Sequence, residues 1–215
     1  MSTPTAPSVY PARLDVDYTD VRNRVTVLFR IVLVIPIAIV YGVLTAGATR
    51  TVYDQSGDVV STSSGGIASG LFLATLLMIL FRRRYPRWWF DFVLELTRFA
   101  TRIGAYVGLL TDEYPSTVEE QRIHLELDYP DAERDLNRWL PLVKWLLAIP
   151  HFVVLFFLSI GAVVAVVVAW FAILFTGRYP RGLFDYVVGV GRWGLRVEAY
   201  ALLLVTDQYP PFSLQ

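Results

Sequence analysis

The stretch Tyr85-Pro-Arg-Trp-Trp-Phe-Asp91 has a second copy in the same chain, Tyr179-Pro-Arg-Gly-Leu-Phe-Asp185. The copies share their opening Tyr-Pro-Arg and their closing Phe-Asp, and both lead into a run that mixes charged with apolar residues. A run that recurs at a fixed offset indicates an internal duplication. The segments around the two copies should therefore correspond as well.

The match continues after the two copies. The same offset relates Arg98 to Arg192, and after one inserted residue Thr111-Asp-Glu-Tyr-Pro115 corresponds to Thr206-Asp-Gln-Tyr-Pro210. The Asp of each motif can cap a turn and the Pro prevents the helix from continuing, so we expect a structural role for this motif. We divide the chain into a disordered lead at residues 1–9, a first repeat at residues 10–115 and a second repeat at residues 116–215.

The composition is typical of a membrane protein. Of the 215 residues, 55% are hydrophobic, and the mean hydropathy of +0.49 is too high for an ordinary soluble domain of this size. The net charge is zero, so nothing in it points to nucleic acid as a partner. The chain has no cysteine and two histidines far apart, so we expect neither a metal site nor a cofactor.

Each repeat opens with a segment in which apolar and polar residues alternate. Residues 10–18 and residues 122–129 both follow this pattern, which predicts two half-buried strands. Two separate strands are not stable in water, so we expect them to pair with each other across the repeats, on the cytoplasmic side.

The first repeat predicts a transmembrane hairpin. Residues 25–48 are apolar apart from Arg30, which we expect to reach the lipid headgroups, and Pro36, which predicts a kink. Residues 67–81 are the predicted return span. The polar stretch between the two spans predicts a small β-hairpin around Ser56-Gly57-Asp58.

The second repeat predicts another transmembrane hairpin with a shorter connection. Its spans are residues 139–157 and residues 160–175, joined by a tight turn near Ser159. Lys144 and Pro150 correspond to the basic residue and the proline of the first hairpin. The predicted fold class is an all-α integral membrane protein with four transmembrane helices and two amphipathic interfacial helices.

Small residues recur at every fourth position in both hairpins. Such a stripe allows another helix to approach closely, although small residues are also common in membrane helices for no specific reason. The predicted helix-packing positions are Ala38, Gly42 and Ala46 in the first repeat and Gly161, Ala165 and Ala169 in the second.

Basic residues flank the predicted spans on one side. Because they precede the first and third spans and follow the second and fourth, the positive-inside rule puts both termini and the central linker in the cytoplasm. The predicted location is the bacterial plasma membrane, with a multi-pass topology.

An amphipathic helix follows each copy of the Tyr-Pro-Arg stretch. In both helices the charges share one narrow stripe, apart from Glu198 on the opposite face. One interpretation puts the helices in the plane of the interface, and the other makes them additional spans with several buried charges. We favour the in-plane arrangement, in which the interfacial anchors are Trp88, Trp89 and Trp193.

The arginines of the two stripes are candidate binding residues. They could hold lipid phosphates at the inner leaflet or contact a partner protein, or they could simply pair with neighbouring carboxylates. His151, close to a proline, is more consistent with a structural role. The six candidate residues are Arg87, Arg98, Arg102, Arg181, Arg192 and Arg196.

Several of these motifs resemble a known family. The Tyr-Pro-Arg-x-x-Phe-Asp stretches, the pattern Arg192-Trp193-x-x-Arg196-x-x-x-Tyr200 and the ending Thr-Asp-Gln-Tyr-Pro-Pro-Phe-Ser-Leu are similar to an uncharacterised family of duplicated membrane proteins, found mainly in actinobacteria and described as a domain of unknown function, DUF4389. The resemblance covers residues 10–214 and implies a plasma-membrane location. It implies no activity.

We find no motif for nucleotide binding, metal-dependent hydrolysis or nucleophilic catalysis, and we predict no catalytic residue. The predicted function is that of a non-enzymatic accessory or scaffold protein that binds lipids and another membrane protein or a second copy of itself. The alternative is binding or transport of a lipid or small solute at the repeat interface, with the arginine stripe holding an anionic group.

Overall fold

The computed structural model describes residues 10–45, 48–53, 56, 59–65, 67–116, 119 and 121–215. The predicted lead at residues 1–9 and Ala46 of the predicted stripe lie outside these ranges. The helices are α1 (Arg24–Leu28), α2 (Arg30–Thr45), α3 (Ile67–Leu77, followed by a π-helical turn at Met78–Arg82), α4 (Arg87–Val107), α5 (Pro141–Leu147), α6 (Ile149–Thr176) and α7 (Arg181–Ala201); the strands are β1 (Ala12–Val16), β2 (Ala48–Tyr53), β3 (Val59–Gly65) and β4 (Ile123–Leu127).

Two antiparallel strand pairs form as the sequence predicts. β1 pairs with β4, and Leu14 lies opposite Leu125 at the centre of the register. The predicted pairing of these two strands with each other is therefore confirmed. β2 and β3 form the predicted hairpin, which begins where Ala48 lies opposite Gly65.

The β1–β4 pair lies on top of the two amphipathic helices. Along α7, the ring of Tyr18 contacts Phe184 near the start of the helix, while the Tyr10 hydroxyl donates to the Arg196 carbonyl near its end. Along α4, Tyr129 contacts Phe90 in the same manner. The strands therefore run along these helices, with their apolar side chains against them and their charged side chains facing outward.

The long helix α6 lies on the opposite side of α7 and runs antiparallel to it. The Trp193 indole donates to His151 Nδ1 at 3.0 Å, and the Tyr186 hydroxyl donates to the Leu158 carbonyl at 3.0 Å. The buried stripe of α6 includes Ala165 and Ala169. Sheet, amphipathic helices and apolar helices thus form three successive layers.

The predicted turn near Ser159 is wrong, because α6 is one continuous helix from Ile149 to Thr176. Leu, Ile, Ala and Val surround Ser159 and Gly161, and neither residue is enough to end a helix in such a setting. Pro150 lies in the first turn of α6, where a missing N–H breaks no helical bond. The second predicted hairpin is therefore replaced by the short helix α5 and the long helix α6.

The first repeat has a split counterpart of α6. The start of α4 contacts α3 through Trp89 Nε1, which donates to Thr75 Oγ1 at 2.8 Å, and its later half contacts α2 through Phe99 and Tyr41. α2 and α3 together thus pack on α4 as α6 packs on α7, with the β2–β3 hairpin between them. In the described ranges only α6 is long and apolar enough to cross a membrane, by length and composition alone.

Candidate functional site

A buried cation lies at the start of the apolar helix system in the first repeat. Arg30 is 3% exposed, and it pairs with Asp112 at 2.6 Å and donates to the Thr111 carbonyl at 2.7 Å. Its guanidinium also lies 4.0 Å from the centre of the Tyr106 ring. The prediction that Arg30 reaches the headgroups is wrong, because the Thr-Asp-Glu-Tyr-Pro motif after α4 supplies a carbonyl and a carboxylate that hold it inside the protein.

The second repeat contains the same arrangement around a lysine. Lys144 is fully buried, pairs with Asp207 at 2.7 Å and donates to the Thr206 carbonyl at 2.7 Å. The Tyr200 ring lies 5.1 Å from its ammonium. Burial lowers the pKa of the Lys144 ammonium, and the Asp207 carboxylate opposes that shift.

Both aspartates also hold the backbone that precedes the helices. Asp112 accepts from the Asn23 backbone N–H at 2.9 Å, and Asp207 accepts from the Asn137 backbone N–H at 2.5 Å. Each Thr-Asp-x-Tyr-Pro motif therefore joins the end of an amphipathic helix to the start of an apolar one. This geometry agrees with the structural role that we expect for the motif.

Two of the candidate arginines join the amphipathic helices to the sheet. Arg98 of α4 donates to the Leu125 carbonyl at 3.1 Å, and Arg192 of α7 donates to the Leu14 carbonyl at 2.8 Å. Each arginine thus contacts the strand of the other repeat, and the two carbonyls belong to directly paired residues. Arg98 also pairs with a carboxylate on its own helix, Glu95.

The other four candidate arginines also have partners within the chain. Arg102 donates to the Ser116 carbonyl, and Arg196 donates to the Ser213 and Gln215 carbonyls of the C-terminal segment. Arg87 and Arg181 are more exposed, pair with the aspartates one turn later and lie over the rings of Tyr129 and Tyr18. These contacts favour the structural alternative, and binding of headgroups by these residues stays a prediction.

The three predicted tryptophan anchors lie in different environments. Trp88 is exposed, whereas Trp89 is half-buried through its bond to Thr75. Trp193 is 5% exposed, so its side chain packs inside the protein, and its predicted depth in the membrane stays a prediction. Its indole N–H has a partner inside the protein, the buried His151, and therefore does not need the interface.

His151 connects three parts of the second repeat. Besides accepting from Trp193, its ring stacks on Phe212 with the ring centres 3.9 Å apart. These contacts join α6, α7 and the C-terminal segment, as the structural interpretation of this histidine expects. Among the residues that the structure describes, no cluster of His, Cys, Asp or Glu could hold a metal ion.

The predicted small-residue positions of the two halves differ in how closely they contact a neighbouring helix. A Cβ at Gly161 would lie 2.5 Å from the Tyr186 hydroxyl, so a close helix contact depends on this glycine. Gly42 has open space around its Cβ position. The second-repeat stripe therefore packs against α7 more closely than Gly42 packs in the first repeat.

The buried lysine, its aspartate and the histidine all lie in the last third of the chain, which is also the part that comparison with known families identifies. Residues 139–213 match the family described as Domain of unknown function (DUF4389). The predicted family is thereby confirmed for this segment. The DUF4389 segment contains α5, α6, α7 and the Thr206–Pro210 motif. No curated protein and no solved structure matches the chain.

Sequence reasoning found the two Thr-Asp-x-Tyr-Pro motifs and the pair Arg30 and Lys144 but did not connect them. The signal was present, because both pairs of features repeat between the two halves of the chain. What the sequence could not show is that each motif folds back onto its cation. The partners Arg30 and Thr111 lie 81 residues apart and the partners Lys144 and Thr206 lie 62 apart, along a flexible chain with many possible contacts.

Proposed function

We propose that this protein is a non-enzymatic membrane-bound accessory protein that lies flat in one leaflet of the bacterial plasma membrane. In this position it would bind a partner membrane protein or a second copy of itself. The observation that carries the proposal is the separation of a large apolar face from a charged face on opposite sides of one layered molecule.

The apolar face is the outer surface of α2, α3 and α6. These helices expose many large side chains, whereas a soluble protein rarely exposes an apolar patch of such extent. The exposed residues on α6 alone include Phe152, Phe156, Phe157, Ile160, Val163, Val164, Val167, Phe171 and Phe175.

The charged face is the outer surface of the β1–β4 pair. Asp15, Asp17, His124 and Glu126 project from it, with more than half of each side chain exposed. Such groups are costly inside hydrocarbon, so this face belongs in water.

The order of the layers supports a flat arrangement over an upright one. β1 and α6 both lie along α7, on opposite sides of it, so their axes lie in parallel layers. An α6 that crossed the bilayer upright would bring the charged sheet into the hydrocarbon beside it. A flat α6 keeps the sheet in water, and a layer of helices ~10 Å thick fits within one leaflet of a ~30 Å hydrocarbon core. The geometry thus favours an in-plane arrangement over the multi-pass one.

The repeated contacts support an internal duplication as the origin of the two halves. The two cation sites and the exchanged arginine–strand bonds recur at the offsets of the repeated motifs. The charged face would point to the cytoplasm, because basic residues lie beside the ends of the apolar helices. These basic residues include Arg82, Arg83 and Arg178. Both termini would then be cytoplasmic.

Single cysteines test the arrangement, because the chain contains none of its own. Glu133→Cys lies before α5, and Arg178→Cys lies just after α6. In a flat protein a membrane-impermeant maleimide labels both from the cytoplasmic side in inverted vesicles. Phe157→Cys, in the middle of α6, should react only with a lipid-soluble reagent. Labelling of Glu133→Cys and Arg178→Cys from opposite sides would show that α6 crosses the bilayer and overturn the flat arrangement.

The accessory role is tested by the size of the native particle. Mild detergent extraction at native expression should recover the chain in a complex larger than its own 24.4 kDa. Charged substitutions on the exposed face of α6, such as Val164→Glu, should reduce the fraction in that complex, whereas Glu133→Gln on the aqueous loop should not. Recovery of a strictly monomeric species would contradict the accessory role and leave the flat arrangement standing.

A further inference from the structure

Glu198 is the one charged residue of α7 that lies away from the arginine stripe and the sheet. It lines two neighbouring cavities, one of about 360 Å³ and one of about 510 Å³, between the halves of the molecule. The described lining of both cavities is otherwise apolar or hydroxyl-bearing. A carboxylate therefore lies at the junction of two apolar spaces.

The smaller cavity has the size and lining of a small-molecule site. Its volume lies in the usual range of ligand pockets, which begins at about 300 Å³. Helices α2, α3, α4 and α7 all contribute to it, and three aromatic rings take part, those of Tyr41, Phe72 and Tyr85. Aromatic faces attract organic cations, and the attraction grows when water is excluded.

No described residue pairs with the Glu198 carboxylate, either through a salt bridge or through a hydrogen bond. Burial raises the pKa of this carboxyl, because few polar groups replace the water it loses. The other titratable groups in the described lining are Tyr41 and Tyr85, and the Tyr85 hydroxyl donates to the Leu203 carbonyl. Neither supplies a positive charge.

The fold itself does not call for a carboxylate at this position. The offset that relates Arg98 to Arg192 relates Gly104 to Glu198, and a Cβ at Gly104 would meet open space. The first half thus forms an equivalent helix without an acid there. A partly buried and unpaired charge costs stability, so its presence on one side alone points to a ligand.

We propose that the cavity beside Glu198 binds a small organic cation, a protonated amine or quaternary ammonium carried on an apolar body. The carboxylate pairs with the ammonium, and the rings of Tyr41 and Phe72 pack on the cation and on its apolar body. This site is separate from the arginine stripe, and the proposal does not depend on how the protein lies in the membrane.

Three ligands of the same shape and different charge test the proposal. Cyclohexylmethylamine is a cation at neutral pH, cyclohexylmethanol is neutral and cyclohexanecarboxylate is an anion. Binding to the full chain in a maltoside detergent is measured by saturation-transfer NMR and by the rise in the unfolding temperature. We expect the cation to bind about tenfold more tightly than the alcohol and the anion to bind more weakly than both.

Two variants show whether Glu198 is responsible. Glu198→Gln keeps the shape of the side chain and should reduce the preference for the cation over the alcohol to about one. Glu133→Gln removes an exposed carboxylate from the same protein and should leave the tenfold preference intact. Equal affinity of the wild-type chain for cation and alcohol, or an unchanged preference in Glu198→Gln, would overturn the assignment. Because these measurements use detergent-solubilised protein, failure here is distinct from failure of the proposed membrane role.

Discussion

The two halves of the molecule are built on the same contacts but differ in the middle of their apolar helices. In the second half α6 is continuous from Ile149 to Thr176, whereas in the first half the β2–β3 hairpin separates α2 from α3. The buried cation, its aspartate and the strand-bound arginine are present in both halves. The comparison indicates that the fold depends on the contacts at the helix ends and on the sheet, and that it tolerates a break in the helix between them.

The largest effect should come from breaking one of the cation sites. Asp207→Asn keeps an oxygen for the Asn137 N–H but leaves the fully buried Lys144 without a counter-charge. We expect a loss of about 3 kcal/mol in the free energy of unfolding, measured by denaturant titration in detergent. Asp112→Asn should cost less, about 2 kcal/mol, because Arg30 keeps two carbonyl partners.

The pH dependence distinguishes the two variants. A lysine whose folded-state pKa is lowered destabilises the protein while it is protonated, at pH values below that pKa. The penalty fades as the pH rises toward the ordinary lysine pKa of about 10.4, above which Lys144 is neutral in both states. The loss in Asp207→Asn should therefore shrink between neutral pH and pH 10. The loss in Asp112→Asn should not shrink, since a guanidinium keeps its proton. Parallel pH profiles would show that the two sites do not differ in this way.

A smaller effect should follow from filling the close helix contact of the second half. In Gly161→Ala the new methyl group would lie 2.5 Å from the Tyr186 hydroxyl, and we expect a loss of about 1–2 kcal/mol. Tyr186→Phe in the same chain should recover part of it by removing that oxygen.

Gly42→Ala in α2 is the matched control for this substitution. Its methyl group enters open space, so alanine's better helix propensity should leave stability unchanged or raise it slightly. Thermal unfolding of the four chains measures the contrast. A loss at Gly42→Ala as large as that at Gly161→Ala would mean that both helices pack equally closely.

The sequence predicted the local elements better than their arrangement. Alternation predicted β1 and β4, and the lack of any other partner for them predicted their pairing. The predicted turn at Ser159 is wrong because only the first half has a long insertion at the corresponding place, and without it the chain continues as one helix. An apolar run of this length does not show whether one helix or two forms, since both bury the same residues.

The candidate site was harder to predict for an electrostatic reason. A charge stripe on a helix looks the same whether it faces water, lipid headgroups or the edge of a sheet. The bond from Arg192 to the Leu14 carbonyl joins residues at opposite ends of the chain, so no local pattern indicates it. The sequence pattern places Glu198 outside the stripe of charges. Its burial depends on α2 and α4, which approach it only in the folded protein.

The smallest effect, and the sharpest test of the comparison, should come from converting the first half to the form of the second. Deleting residues 47–66 joins Ala46 to Ile67. The number of residues from the start of α2 to the end of α3 then equals the number in the corresponding part of the second half, which includes α6. Because Ala48 lies opposite Gly65, the chain already enters and leaves the hairpin at neighbouring points. We expect a stable protein, within about 1 kcal/mol of the full chain, with a longer continuous helix visible as greater ellipticity per residue at 222 nm.

Deleting one residue more would rotate α3 by ~100° relative to α2 and turn the Thr75 hydroxyl away from Trp89, so that variant should be less stable. If both deletions unfolded the protein equally, α2 and α3 would not be two parts of one interrupted helix, and the correspondence between the halves would be limited to their ends.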